Sequence, residues 1–567
     1  MNFRLSLPDY IVVAGYFVVV LWVGFYFRKR QDAAKDYFAA GHQLPWWLAG
    51  ISHYMSSFSA FAFVAYSQLG YSYGWVSVTL FWATVPACLL GAKIFASAWR
   101  RARVITPVEF VERRFNASLR QVFAWAGIPV KIFDDALKIF ATGLFVALGV
   151  GVGLNWAIIA CGVVMVAYTF LGGLWALVVT DYIQFLMKVL AIALLCPLAI
   201  WKAGGMVEGF RGLPPGLFQM TGGPYGWIYI IGFTVLIAMS YNGSWALAQK
   251  YYSVPSEKDA RKAAYLAAAL NFFGAPLMML PAILGRKFLP DLLAQQRTAD
   301  TYVLLVLTLL PVGMIGIIVA AIFSATMATV SADLNAIASV LTKDVYQRVI
   351  NPKASEESLV GVGRLITAVL GGLTIVLGLW VGMSHNQSLF NLMVTAFGLL
   401  LAPTLLPLLA GLTVRGLTWK GALAGFVTGL VSGMVMFSLK TWYLPTLPGV
   451  SKQWATYTFE GISILVNTAL TILAMWIASR WLHHAPEDIE KVRGFFQMMD
   501  RPIAADETSA VHLVSPLKAI GASTVVVGIL LSLAGAFSQT TAARATDFAV
   551  GLSMVAVGIF WYRKGSS

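Results

Sequence analysis

Polar and charged side chains are scarce in this chain, so the places where they collect inside apolar runs show where chemistry is possible. Asp181 follows Thr180 within such a run. A carboxylate inside a bilayer is costly and faces the protein interior. Lys131, Asp134, Asp135 and Lys138 share another run. Lys131 with Asp135 and Asp134 with Lys138 are i, i+4 pairs, so the spacing predicts a self-neutralising structural stripe on one helix. Hydroxyls gather twice. Ser52, Ser56, Ser57 and Ser59 precede Gly70 and Gly74, and Ser240-Tyr241-Asn242-Gly243-Ser244 interrupts a later run. Non-helical backbone is tolerated in a membrane only where protein or a watery cavity satisfies it. Two small, polar interruptions about five runs apart therefore predict corresponding helices of an inverted repeat, whose breaks meet near the midplane. His53, one turn before the first break, reads as a packing residue.

The elements that must position these groups follow from composition. The chain has 567 residues, 59% hydrophobic and 11% charged, with a mean hydropathy of +0.76. Soluble domains carry about 25% charged residues, so a soluble enzyme is excluded. Apolar runs long enough to cross a core of about 30 Å recur throughout, near 10–27, 45–71, 76–97, 121–150, 155–174, 177–201, 225–247, 263–285, 302–332, 361–383, 388–413, 419–438, 458–481, 518–537 and 546–562. The prediction is an all-α polytopic membrane protein of about fifteen spans.

Net charge of +15 does not indicate nucleic acid, because the basic residues sit in short patches between spans, such as Arg28-Lys29-Arg30 and Arg100-Arg101 with Arg103. Lys and Arg outside the spans divide about three to one in favour of the face carrying the C-terminus, which predicts an outer N-terminus and a cytoplasmic C-terminus in a cell (inner) membrane. The first run follows a nearly neutral Met1–Asp9 segment and is followed by Arg28-Lys29-Arg30, so it reads as a retained span rather than a cleaved signal. Cys88, Cys161 and Cys196 lie inside apolar runs without a CxxC pair and read as core residues. The loop near 482–517 is too short for a soluble effector domain. HExxH, GxSxG and Walker patterns are absent from the sequence, which argues against an enzyme.

Four motifs then resemble the sodium:solute symporter family. They are Gly41-His42-Gln43-Leu44-Pro45-Trp46-Trp47 with Gly50 and Ser52; Thr106-Pro107 with Glu109-Phe110 and Arg114-Phe115; Gly172-Gly173-Leu174-Trp175 with Thr180-Asp181 and Gln184; and Ser324 to Tyr346 with Met327, Thr329, Leu334, Asn335 and Asp344. The resemblance implies a LeuT-like core of two inverted five-helix repeats, here 45–201 and 225–413, with a peripheral helix and loop in 1–44 and peripheral helices in 419–567. It implies alternating access and a sodium ion between core helices 1 and 8. The matching positions are the carbonyls of Met55, Phe58 and Ala325 and the side chains at Ala328 and Thr329. Relatives carry serine where this chain has Ala328, so one expected oxygen is a methyl group, with Ser324, Thr326 or a water as substitutes. Asp181 matches a carboxylate near the ion's inward exit, and a helix-cap role is its alternative. Ser57 falls where relatives have Asn or Asp.

In sugar-carrying relatives core helices 1, 2 and 6 provide acidic and amide groups. The matching positions here, Phe61, Ala62, Phe81 and Ser244, are too apolar to hold a hexose in the same way. Trp82, Thr84, Tyr241 and Asn242 remain as pocket residues. A small organic acid, amino acid or vitamin-like solute fits as well as a sugar, and Lys131 or Lys138 would favour an anion. The expected function is sodium-coupled symport of a small solute. A proton-coupled or uncoupled facilitator or channel on the same fold is the alternative suggested by Ala328.

Overall fold

The computed structural model describes residues 7–28, 34–57, 59–310, 315–383, 389–504, 516–536 and 541–565. Among them every apolar run is helical, and an isolated bridge between Gly222 and Tyr225 is the sole β-type pairing. Eight helices are long and apolar enough to cross a membrane, and a ninth arises if one bent pair counts as a span. Shorter apolar helices include Asp9–Val23, Leu154–Phe170, Thr298–Leu309 and Leu517–Leu533.

Helix α1 (Leu7–Arg28) lies against the core. The second run is broken, as its serines predict. Helix α2 (Trp46–Ser56) stops and α3 (Ala60–Tyr73) begins after extended Ser59. Helix α4 (Ala117–Val150) starts at Asn116, whose side chain accepts from the Leu119 N–H at 2.8 Å, and ends at left-handed Gly151. The next two runs form one long element, α5 (Leu154–Lys202), kinked where Gly173 adopts φ 54°. No other residue enters that region so cheaply. The seventh run divides into α6 (Trp227–Gly243) and α7 (Trp245–Tyr252), bent by 50° at Ser244. Helix α8 (Ile315–Val340) continues as a wider π-helical turn through Ile350, so the span expected to end near 332 runs well beyond it.

At the C-terminal end, α9 (Pro516–Ala536) and α10 (Thr541–Lys564) form a tight pair. A Cβ on Gly528 would stand 2.6 Å from the Gly551 carbonyl oxygen, and one on Gly558 2.8 Å from that of Gly521. Such backbone approach is how helices associate in lipid, where apolar side chains alone provide little drive.

On the face carrying the loop before α4, Glu112 lies between Arg348 at 2.6 Å and Arg120 at 2.7 Å, and Arg120 also reaches Asp344 at 2.6 Å. The Arg348 hydrogen bond, followed by that from Arg120, holds the Glu112 carboxyl down at about 2. A carboxylate depressed in the folded state stabilises above its unfolded value near 4.3, and that contribution is lost as pH falls toward 2. The melting temperature of Glu112→Gln is therefore expected to be lower than that of the parent at neutral pH. The two should converge as pH drops through the window from about 4.3 to 2, which thermal melts at stepped pH will read.

Candidate functional site

The α2–α3 and α6–α7 breaks face a common cavity of about 110 Å³. Ser56, Ser57 and Ser59 line it from the first break, and Ser240, Tyr241 and Ser244 from the second. Lys131, Asp134 and Lys138 of α4 and Thr329 and Asp333 of α8 form the opposite wall. Hydroxyls lock these elements together. The Ala60 N–H donates to Thr326 Oγ1 at 2.8 Å, and the Thr142 hydroxyl donates to the same oxygen at 2.7 Å. The first N–H of α3, which has no partner within its own helix, is thus satisfied by α8.

The charged stripe on α4 does not neutralise itself as the spacing predicts. Lys138 does pair with Asp134 at 2.9 Å, but Lys131 bonds Asp134 at 3.4 Å rather than Asp135. Both ammonium groups reach across to Asp333, Lys131 at 3.1 Å and Lys138 at 3.0 Å, and Lys138 also holds Asp135 at 3.1 Å. Three carboxylates face two ammonium groups, and four of the five side chains line the cavity. The reason is helix phase: residues 131, 134 and 138 share the face of α4 turned toward α8, so an acid on α8 competes successfully for both lysines.

The residues expected at the ion site distribute as follows. Met55 lies in the last turn of α2, where carbonyls lose their i+4 partners. Phe58 lies outside the described residues. Ala325, Ala328 and Thr329 are buried on α8. The Thr329 hydroxyl donates to the Thr326 carbonyl at 2.9 Å, which leaves its lone pairs available, and Thr329 borders the cavity. Ser324 donates to Ala321 at 2.7 Å. Ser57 donates to the Tyr54 carbonyl at 2.8 Å from the cavity wall.

Asp181 is fully buried within α5 and accepts a hydrogen bond from Ser52 of α2, while its Oδ1 has no hydrogen-bond partner among the described residues. It caps no helix, which removes that alternative. His53 packs between Tyr251 at 4.9 Å and Tyr241 at 5.9 Å between ring centres. Lys250 of α7 is fully buried, and its Nζ makes no hydrogen bond among the described residues; it lies within electrostatic reach of Asp181 and Asp333.

Of the expected solute residues, Phe81, Thr84, Tyr241 and Ser244 line the cavity. Phe61 lies in the first turn of α3, and its side chain is outside the described ones. Trp82 turns away: its indole donates to the Phe272 carbonyl at 2.9 Å and stacks on that ring. Asn242 also turns away, donating to the Ala87 carbonyl at 3.0 Å and the Ala238 carbonyl at 2.8 Å. Asp333 and Lys250 were not among the expected site residues, whereas Ser56, Ser59 and Ser240 belong to the hydroxyl clusters expected at the two breaks. An aspartate beside an apolar run is itself a signal, and that rule applied at position 333 would have found the acid.

The sequence model of the "Sodium:solute symporter family" matches residues 37–429. Similar proteins include the sodium/sialic acid symporter NanT of Aliivibrio fischeri, 27% identical over 75% of this chain and 86% of its own. The sodium/glucose cotransporter of Vibrio parahaemolyticus is 28% identical over 82% and 91%. A solved Na+-coupled sialic acid symporter, substrate-bound and outward-open, superposes with a TM-score of 0.70 at 23% identity, covering 85% of this chain and 99% of that one. Mhp1, a nucleobase-cation-symport-1 family transporter in a closed conformation, gives 0.51 at 13% identity over 82% and 99%. The fold is thus that of these carriers, two broken helices around a central cavity, and with the family's sequence model spanning most of its length the chain belongs to the sodium:solute symporter family.

Proposed function

We propose that this chain is a multi-pass carrier coupling sodium entry to uptake of a small organic solute by alternating access, with its N-terminus outside and its C-terminus in the cytoplasm. The carrying observation is that both helix breaks and Thr329 border one cavity. We read 45–201 and 225–413 as the two repeats, and assign the ion to the Met55, Phe58 and Ala325 carbonyls and the Thr329 hydroxyl. At position 328 a water would stand in for the missing hydroxyl. Sodium is a hard cation that takes oxygen ligands, and a broken helix exposes carbonyls to supply them. Asp181 would draw the ion toward the inward side, with Ser57 and Ser324 as polar neighbours of the path.

Coupling is linkage: whatever factor sodium adds to solute affinity, solute adds to sodium affinity. One charge crossing 100 mV contributes about 2.3 kcal/mol, roughly fifty-fold in solute gradient. A specific observation, the Ala328 methyl between Ala325 and Thr329, favours proton coupling or facilitation as the second reading. Thermal melts of the purified chain in about 150 mM sodium against potassium or choline discriminate by mass action. A sodium-specific rise, enlarged by one solute, is expected; a response to pH and solute with none to sodium would establish the second reading.

A further inference from the structure

The cavity's charged wall narrows the solute class. Ionic side chains are costly to take out of water, so four of them at one binding surface favour a solute that itself carries charge. Here Lys131, Asp134, Lys138 and Asp333 keep only 14%, 8%, 12% and 3% of their side-chain surface exposed, and all four line the cavity.

The wall is not evenly satisfied. An ammonium group has three N–H donors. Lys138 meets three carboxylates at 2.9–3.1 Å. Lys131 meets two, and its 3.4 Å contact with Asp134 is the loosest in the network. Asp134 accepts both lysines through one oxygen, Oδ2; its Oδ1 has no hydrogen bond among the described residues. Lys131 spreads its bonds over both oxygens of Asp333, at 3.1 and 3.3 Å, and that loose contact with Asp134, so a loosely held ammonium and an open carboxylate oxygen lie three residues apart on α4.

The charge balance decides what can occupy them. With the coupling cation set against the third carboxylate, a solute bearing only a carboxylate would take Lys131 and leave an aspartate uncompensated, and a solute bearing only an ammonium would take Asp134 and leave a lysine so. A solute with both charges exchanges partners without stranding either. Its apolar part then meets Tyr66, Phe81, Ile237 and Phe397. A cavity of about 110 Å³ lies well below the ~300–1,000 Å³ of drug-sized sites, which restricts the solute to few heavy atoms. We infer that the cavity binds a compact zwitterion, an α-amino acid with a small apolar side chain, whose carboxylate pairs with Lys131 and whose ammonium pairs with Asp134. The wall's remaining excess negative charge is left for the coupling cation. This inference rests on reading the cavity as the solute site of a carrier.

Melting temperatures of the full chain in sodium should rise with L-alanine or L-proline. L-lactate, which lacks the ammonium, ethylamine, which lacks the carboxylate, and D-glucose should leave them unchanged. Lys131→Met and Asp134→Asn should each weaken amino-acid binding about tenfold or more, the range for a hydrogen bond to a charged group, while Lys131→Arg retains it. Sodium-induced stabilisation without solute checks that each variant is folded. A rise with lactate or glucose and none with any common amino acid would overturn the zwitterion. So would silence from every solute in a chain that responds to sodium. Amino-acid binding unaltered in Lys131→Met or Asp134→Asn would overturn the subsite. Loss of the sodium response alone, with amino-acid binding intact, would instead remove sodium coupling and leave this site standing.

Discussion

Lys138→Met is expected to be the most damaging single substitution in the core, costing about 3–5 kcal/mol and abolishing uptake. Lys138 is the common partner of Asp134, Asp135 and Asp333. Methionine fills similar space, so packing is not the issue. Without the ammonium, three buried carboxylates share Lys131 alone, and breaking a buried network from one side strands charge where water cannot reach it. Asp333→Asn is the informative contrast. It leaves two acids against two lysines, so the network is neutral and the protein should fold with a much smaller fall in melting temperature. What should suffer is affinity for the coupling cation, because the excess negative charge is gone. The double variant Lys138→Met with Asp135→Asn should recover part of the stability lost in Lys138→Met, and melts of the parent, Lys138→Met, Asp135→Asn and the double close a cycle that isolates the interaction. Equal losses for Lys138→Met and Asp333→Asn would show that geometry rather than charge balance governs the cluster.

The second large effect concerns α8. Thr329→Ala should abolish sodium activation, whereas Ala328→Ser should raise apparent sodium affinity about tenfold, the value of one added oxygen partner at roughly 1–1.5 kcal/mol. Thr329 borders the cavity and engages its own helix through its proton alone, so its oxygen is available. Residue 328 precedes it on α8 and is likewise buried. Sodium-activation curves of solute uptake in proteoliposomes measure both, and unchanged curves in both variants would mean the ion is held elsewhere.

The breaks in the second and seventh runs were legible because serine and glycine clusters are rare in lipid-spanning helices. The family was legible from four ordered motifs. Helix phase was not. Phe81 faces the cavity while Trp82, turned about 100° further round the helix, stacks on Phe272. In a helix apolar on all sides no periodicity tells those faces apart. Asp333 escaped for a related reason. The apolar run weakens near 332, and an acid at its end reads as a boundary, yet the helix continues to Ile350 and buries that acid opposite two lysines on α4. A pairing of residues some two hundred positions apart leaves no local trace; only the fold brings α4 and α8 face to face.

The glycine seam of α9 and α10 bears on the order of assembly. Because the seam is formed by backbone meeting backbone, the last hairpin can close on itself before it touches anything else. Its later docking rests on side chains reaching earlier parts of the chain: Leu530 over Gly15, and Trp561 stacked on Trp47 at 5.4 Å. During synthesis the broken helices and the cavity walls have emerged before this hairpin exists, so they must find one another without it. The hairpin then arrives as a finished piece against α1 and α2, a brace added to a completed machine.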